Sequence, residues 1–336
     1  MLWARTQQKV KIRFGNIYVG LICLLLIILA AFRSDNVGAD TSGYRLTYMA
    51  MGDYHSIQDI VDRFTDDYIV YYILSKIFHF LRMPVQVWFG FIEAFYLFAL
   101  MKLVNKFSRD KIFSLLVYTT IGLFTFSMAG LKQTMAMSLM MLAFIALIEK
   151  KYIFTALLVV TTYYTHQSAL ILLAAFPIYY IRNARFLITF ILGLCVLIYI
   201  YDYMFIEAMV ETMGNERWES YLVTDSRYSF VTLIFYVVIT FIAGINLKNY
   251  NTVEPDNANL FLGLSILACG LQVLASVSPS LFRLAYLYTP FMMILLPNAS
   301  YYSKHGKMLR GILMSCIVFY FLYTNRHWTY SFVSLW

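Results

Sequence analysis

Charge is scarce in this chain. Only 13% of its 336 residues are Asp, Glu, Lys or Arg, against about a quarter in an ordinary soluble domain, which excludes a solvated surface over most of the molecule. Acidic residues are scarcer than basic ones, 18 against 26. Most of them fall in two segments, seven between Arg33 and Asp67 and six between Asp202 and Arg227. Cysteine is rarer still. Cys23, Cys195, Cys269 and Cys316 sit singly in apolar runs, so neither a disulfide framework nor a zinc site is suggested and they read as small hydrophobes. The sequence also lacks low-complexity linkers, a convincing internal repeat and any soluble stretch of domain length. Residues 1–336 therefore read as a single transmembrane domain.

Apolar residues supply 61% of the chain and mean hydropathy is +0.68. Repeated apolar runs of about 17 to 25 residues meet the length needed to cross roughly 30 Å of hydrocarbon. Their continuity argues against the alternating pattern of an outer-membrane barrel. The expected fold is all-α, a polytopic integral membrane helical bundle. Crossings are expected near residues 16–32, 85–104, 112–130, 132–148, 152–165, 167–181, 186–204, 229–247, 259–277, 284–301 and 309–325, about eleven in all. Tyr68 to Leu81 is short and carries Lys76 and His79, so it reads as a re-entrant or interfacial segment. Arg5, Lys9, Lys11 and Arg13 precede the first run and superficially resemble a secretory signal, but the many spans that follow favour an uncleaved first helix.

Basic residues cluster in short connections, such as Lys106 to Lys111, Lys150 with Lys151, and Lys304 to Arg310, which should therefore be cytoplasmic. The N-terminus is then cytoplasmic, and the acidic loops 33–67 and 205–228 face outward. The formal net charge of +8 reflects this bias and attraction to anionic membrane lipid, and gives no support to nucleic-acid binding.

The polar residues left near the outer side form a pattern. Lys132 and Gln133 open one helix, His166, Gln167 and Ser168 open another, and Arg283 opens a third that continues through Tyr286 and Tyr288. A helix N-terminus carries unpaired N–H groups and partial positive charge, and membrane helices that start within the bilayer commonly bind anions there. With Arg33 and Arg217 added, these groups suit a phosphorylated or diphosphorylated lipid. Plainer readings exist for each. Arg33 could be a snorkelling anchor, Lys132 an interfacial lysine, His166 a satisfied group in a helix break, and Arg217 part of a solvated loop helix. Asp35 and Asp40 bracket Gly38, a spacing that suits either a turn returning carboxylates over Arg33 or an ordinary Asx pair. Glu93, mid-span, could pair with Lys76 or His79.

Arg33-Ser-Asp-Asn-Val-Gly-Ala-Asp-Thr, with Tyr44 following, resembles the opening signature of the EpsG-like group of Wzy-type polysaccharide polymerases. Gly130-Leu-Lys-Gln-Thr-Met-Ala136, Thr165-His-Gln-Ser-Ala-Leu170 and Arg283-Leu-Ala-Tyr286 are similar to that group's later motifs, in the same order. Lys132 departs from the usual Arg, which keeps the charge and loses the fork that grips a phosphate bidentately.

The resemblance implies a bacterial inner-membrane glycosyltransferase with its active site facing the periplasm. Its donor and acceptor would be undecaprenyl-diphosphate-linked oligosaccharide units for O-antigen, capsule or exopolysaccharide, with a chain-length regulator as a protein partner and no cofactor. No metal-ligand cluster is visible in the sequence, so Arg33, Lys132 and Arg283 are the candidates to stabilise the departing diphosphate. His166 is the first candidate general base, since an ordinary histidine pKa near 6.5 suits that work, with Asp40 or Asp35 second. Gln133, Tyr44, Tyr286 and Arg217 are further substrate-binding candidates. A lipid-linked oligosaccharide flippase or other transporter, and a polysaccharide ligase or other lipid-sugar glycosyltransferase, are the alternative functions.

Overall fold

The computed structural model describes residues 2–64, 68–181, 183–201, 204, 229–276, 281–326 and 329–332. Arg217 lies outside the described residues. Within those described the chain is helical, apart from one isolated antiparallel bridge between Arg33 and Phe332. In order the α-helices are α1 (Leu2–Ala31), α2 (Thr41–Ala50), α3 (Ile57–Arg63), α4 (Ile69–Phe80), α5 (Val85–Phe107), α6 (Lys111–Thr120), α7 (Leu123–Ala129), α8 (Leu131–Ile148) and α9 (Tyr152–Tyr163). There follow α10 (Ala175–Tyr180), α11 (Ala184–Ile200), α12 (Ser229–Ile245), α13 (Lys248–Val253), α14 (Pro255–Val273), α15 (Phe282–Tyr288), α16 (Met292–Tyr302) and α17 (Gly306–Thr324).

Three helices, α5, α8 and α17, are long and apolar enough to cross a membrane, and a fourth crossing is formed if the broken pair α6 and α7 counts as one. Shorter apolar helices of 10–17 residues lie in other stretches where crossings are expected, among them Asn16–Ala31 of α1, α9, and Phe230–Ile245 of α12. Two expected spans are interrupted for visible reasons. The stretch after His166 begins as a 3-10 helix, Gln167–Ala174, before α10. The stretch after Arg283 breaks at Thr289–Phe291, where Pro290 lacks the N–H that would continue α15. α4 is 12 residues long, about 18 Å by helix rise, well short of a bilayer's hydrocarbon core.

Local sequence signals account for several boundaries. Ser56 accepts from the Asp59 N–H while Asp59 accepts from the Ser56 N–H, a capping box at the start of α3. Asp110 accepts from Phe113 N at the start of α6 and Asn183 from Phe186 N at the start of α11. Gly122, between α6 and α7, has φ +93, a conformation that costs a side chain dearly.

The chain forms two compact units. The first comprises 1–103, 124–170 and 325–336, and the second 104–123 and 171–324. The core of the first unit is aromatic: Trp88, Phe89, Tyr71, Tyr72, Tyr48 and Met135 are buried together. In the second unit, Asn298 is fully buried. It donates to the Phe107 carbonyl and to Tyr250 Oη, and accepts from the Arg109 backbone N–H at 2.8 Å. Arg109 also pairs with Glu254 and donates to Tyr302 Oη.

Candidate functional site

The first unit holds most of the residues singled out by sequence. Where α1 ends, the backbone of residues 33 and 34 is caught by the C-terminal segment, with Ser34 N donating to the Ser331 carbonyl at 2.9 Å. Arg33 is then turned inward and is 0% exposed. Each of its three side-chain nitrogens donates to the protein: Nε to Thr41 Oγ1 at 3.2 Å, Nη2 to the Met128 carbonyl at 3.1 Å, and Nη1 to the Ala30 carbonyl. The guanidinium also lies 4.2 Å from the centre of the Phe89 ring, an arrangement worth about 2 kcal/mol when desolvated. Burial pushes its pKa down to about 10, opposed by Glu93, Tyr71 and Tyr330, so it remains a cation at neutral pH. Arg33 is therefore not a snorkelling anchor. It fastens the ends of α1 and α7 to the start of α2.

Gly38 makes that fastening possible. Its φ is +88, and a Cβ there would lie 2.8 Å from Thr41 Oγ1 and 3.0 Å from the Met128 carbonyl oxygen. The turn does not carry the Asp35 carboxylate to Arg33. Asp35 pairs with Arg45 instead, Nε to Oδ1 at 2.5 Å, because α2 places Arg45 one turn in from Thr41. Asp40 occupies the N-cap position of α2, and the Tyr44 ring lies 6.0 Å from that of Tyr71. Glu93 is likewise not paired with Lys76 or His79: it accepts from Ser127 Oγ at 2.6 Å. Lys76 donates to the Met51 and Tyr54 carbonyls.

Lys132, at the second position of α8, has the most distinctive surroundings. Its ammonium donates to Tyr72 Oη at 2.6 Å. It lies 4.3 Å from the Tyr68 ring centre, 4.6 Å from that of Tyr72 and 5.7 Å from that of Tyr71. The cage comes from the start of α4. Tyr68 adopts a left-handed conformation, φ 62, as the N-cap of that helix, and Val70 N donates to the Tyr164 carbonyl at 3.1 Å. That bond ties α4 to the break after α9. It brings the Tyr68 ring 5.0 Å from the His166 ring, so a single tyrosine touches both the ammonium and the imidazole. His166 Nδ1 is hydrogen bonded to Ser168 Oγ at 2.8 Å. Gln133 is 3% exposed, one step further along α8.

Lys132 and His166 thus meet through Tyr68, with Arg33 supporting the same aromatic core from the side of Phe89. Arg283 and Tyr286 belong to the second unit. Arg283 is the second residue of α15, and the Tyr286 ring packs on Gly122, its hydroxyl occupying the place where a Cβ of residue 122 would stand. Sequence reasoning does not single out Tyr71 and Tyr72, nor Tyr68 except as the start of a short segment. The signal available was their spacing, Tyr71 and Tyr72 falling three and four positions after Tyr68, about one helical turn on, in a short segment also bearing Lys76 and His79.

The arrangement can hold an anion next to a proton acceptor. A half-buried ammonium oriented by a phenol and by ring faces offers a positive charge, and the imidazole one ring away can accept a proton. The chain belongs to the EpsG family, whose model matches residues 16–335. That family suggests a polysaccharide-polymerase-like function of the glycosyltransferase type. No curated protein and no solved structure matches the chain.

Proposed function

We propose that this protein is a polymerase that joins undecaprenyl-diphosphate-linked oligosaccharide repeat units at the periplasmic face of the bacterial inner membrane, building an O-antigen, capsule or exopolysaccharide. The observation that carries this reading is the Lys132 ammonium in its tyrosine cage, joined through Tyr68 to His166, within a chain of the EpsG family. The cytoplasmic N-terminus and the outward acidic loops rest on the distribution of Lys and Arg, and the count of about eleven crossings on the apolar runs.

In the reaction, a hydroxyl oxygen of the incoming unit's terminal sugar bonds to the anomeric carbon of the growing chain. The bond from that carbon to the phosphate oxygen breaks, and undecaprenyl diphosphate leaves with the electron pair. Lys132 stabilises the charge that develops on the diphosphate. His166 takes the hydroxyl proton. With the Nδ1 proton donated to Ser168 Oγ, the acceptor lone pair is on Nε2, and Ser168 sets the orientation of the ring. Arg33, expected from sequence beside the diphosphate, is 0% exposed and directs its three side-chain nitrogens to Thr41, Ala30 and Met128, so it is proposed instead as a positioning residue that fixes the turn. Arg283, Tyr286, Asp40, Asp35, Tyr44, Gln133 and Arg217 are further proposed substrate-binding residues. A chain-length regulator is the proposed protein partner.

Deleting the gene and separating surface polysaccharide on a gel tests the reading. A polymerase requires loss of the ladder with retention of single-unit bands, and complementation with Lys132→Met or His166→Ala should leave it lost. Loss of all bands would favour a flippase or a ligase and overturn the assignment.

A further inference from the structure

A second cationic feature of the first unit is separate from the Lys132 cage. A cleft of about 510 Å³ is lined by Arg45, His79 and Arg82 together with Tyr48, Pro84 and Gln86 among others. Two guanidinium groups and an imidazole face one space, and no Asp or Glu is among its lining residues. The Asp35 carboxylate lies behind Arg45, holding Nε at 2.5 Å, which orients the outer end of the fork. Arg45 Nη2 is buried and has no hydrogen-bond acceptor in the protein. A buried charged donor left in that state is costly.

The wall opposite is rigid. Tyr48 Oη donates to the Met83 carbonyl at 2.6 Å, and the His79 ring meets the Tyr48 ring edge-on at 5.6 Å. Arg82 terminates α4 with φ 54, the left-handed conformation usually left to glycine. Its N–H closes the turn on the His79 carbonyl at 2.9 Å, so the tight turn itself brings Arg82 and His79 to the same cleft. Forked guanidinium donors match the paired oxygens of a phosphate better than any other side chain.

We propose that this cleft is a phosphate-binding site, and that it holds the diphosphate of the second lipid-linked substrate. The first part stands on the cleft alone, whereas the second rests on the polymerase reading, because only a reaction between two lipid-linked units needs two phosphate sites. The Lys132 cage then holds the diphosphate that leaves, and the Arg45–Arg82 cleft the one that stays on its unit.

The test uses the full chain in nanodiscs of zwitterionic lipid, with inorganic diphosphate as the titrant and Lys132→Met as the background, so that the cage does not contribute. Diphosphate should still bind in that background. Arg82→Glu, which reverses an exposed charge, should weaken binding at least tenfold, as should Arg45→Gln combined with Arg82→Gln. Failure of Lys132→Met to bind diphosphate, or equal affinity in Arg82→Glu with an unchanged size-exclusion profile, would overturn the site. Glycerol phosphate competing as well as diphosphate would make it a phospholipid headgroup site and overturn the second-substrate assignment. With lipid-linked units as substrate, Arg82→Gln should raise the KM about tenfold. A chain that makes no polymer, yet whose diphosphate binding maps to Arg45 and Arg82, would remove the polymerase reading and the second-substrate role while leaving the phosphate site intact.

Discussion

Arg33 Nη2 donates to the Met128 carbonyl 3.1 Å away, so the cation at the end of the first helix closes the last turn before Gly130 and the helix that carries Lys132. Replacing it by lysine keeps the charge and loses the fork. Two of the three protein acceptors would then lose their arginine donor, at about 1–3 kcal/mol each, for an expected loss of about 2–6 kcal/mol. Thermal unfolding of Arg33→Lys in detergent should show a clearly lower midpoint. An unchanged midpoint would mean that Arg33 does not fasten these segments.

Gly38→Ala probes the same fastening from the backbone side. A methyl group at φ +88 and 2.8 Å from Thr41 Oγ1 should displace either the turn or the Arg33–Thr41 hydrogen bond, at a cost of about 1–3 kcal/mol. Expression level and unfolding midpoint should both fall. A Gly38→Ala protein as stable as the parent would show that the turn relaxes freely.

The tyrosine cage makes graded demands. Tyr72→Phe retains the ring and removes the 2.6 Å hydrogen bond to Lys132, so polymer formation should slow by about two- to tenfold, the equivalent of 0.5–1.5 kcal/mol. Lys132→Met removes the cation and should cost about 10²–10³-fold. Lys132→Arg should retain most activity. Rates from purified protein give the ranking, and Tyr72→Phe proving worse than Lys132→Met would contradict it.

The Arg109–Glu254 pair yields a pH dependence. Burial alone would raise the Glu254 carboxyl, but hydrogen bonds from Asn257, Arg109 and Tyr302 outweigh it and hold the pKa below its ordinary value. A carboxyl depressed in the folded state stabilises fully above its unfolded pKa of about 4.3 and loses that contribution as pH falls through the folded value. Glu254→Gln should therefore be less stable than the parent at neutral pH, by no more than about 1 kcal/mol for so exposed a pair. The difference should shrink as pH drops below 4. Parallel stability curves would rule out the pair as the source.

Much of this was legible in the sequence because membrane helices announce themselves by composition. The helical class, the start of α8, expected at Lys132 and found at Leu131, the polar break at Thr165 to Ser168 and the family followed from apolar runs and four short motifs. The partners of the charged residues did not. Arg33 was read with Asp35 and Asp40 because they are close in sequence, whereas its acceptors include Met128, 95 positions away. The cage around Lys132 depends on a left-handed Tyr68 and on a backbone bond from Val70 to Tyr164, neither of which leaves a local signature. Helix length misled where Pro290 or a 3-10 start interrupts an apolar run, since hydropathy is blind to a missing N–H.

The most direct measurement is reconstitution. Purified protein in nanodiscs, supplied only with lipid-linked repeat units, should produce a ladder of polymer on lipid and release undecaprenyl diphosphate in proportion to the linkages formed, with both signals lost in Lys132→Met and His166→Ala. Movement of intact units across a bilayer without any new glycosidic bond, or full activity in both variants, would contradict the account.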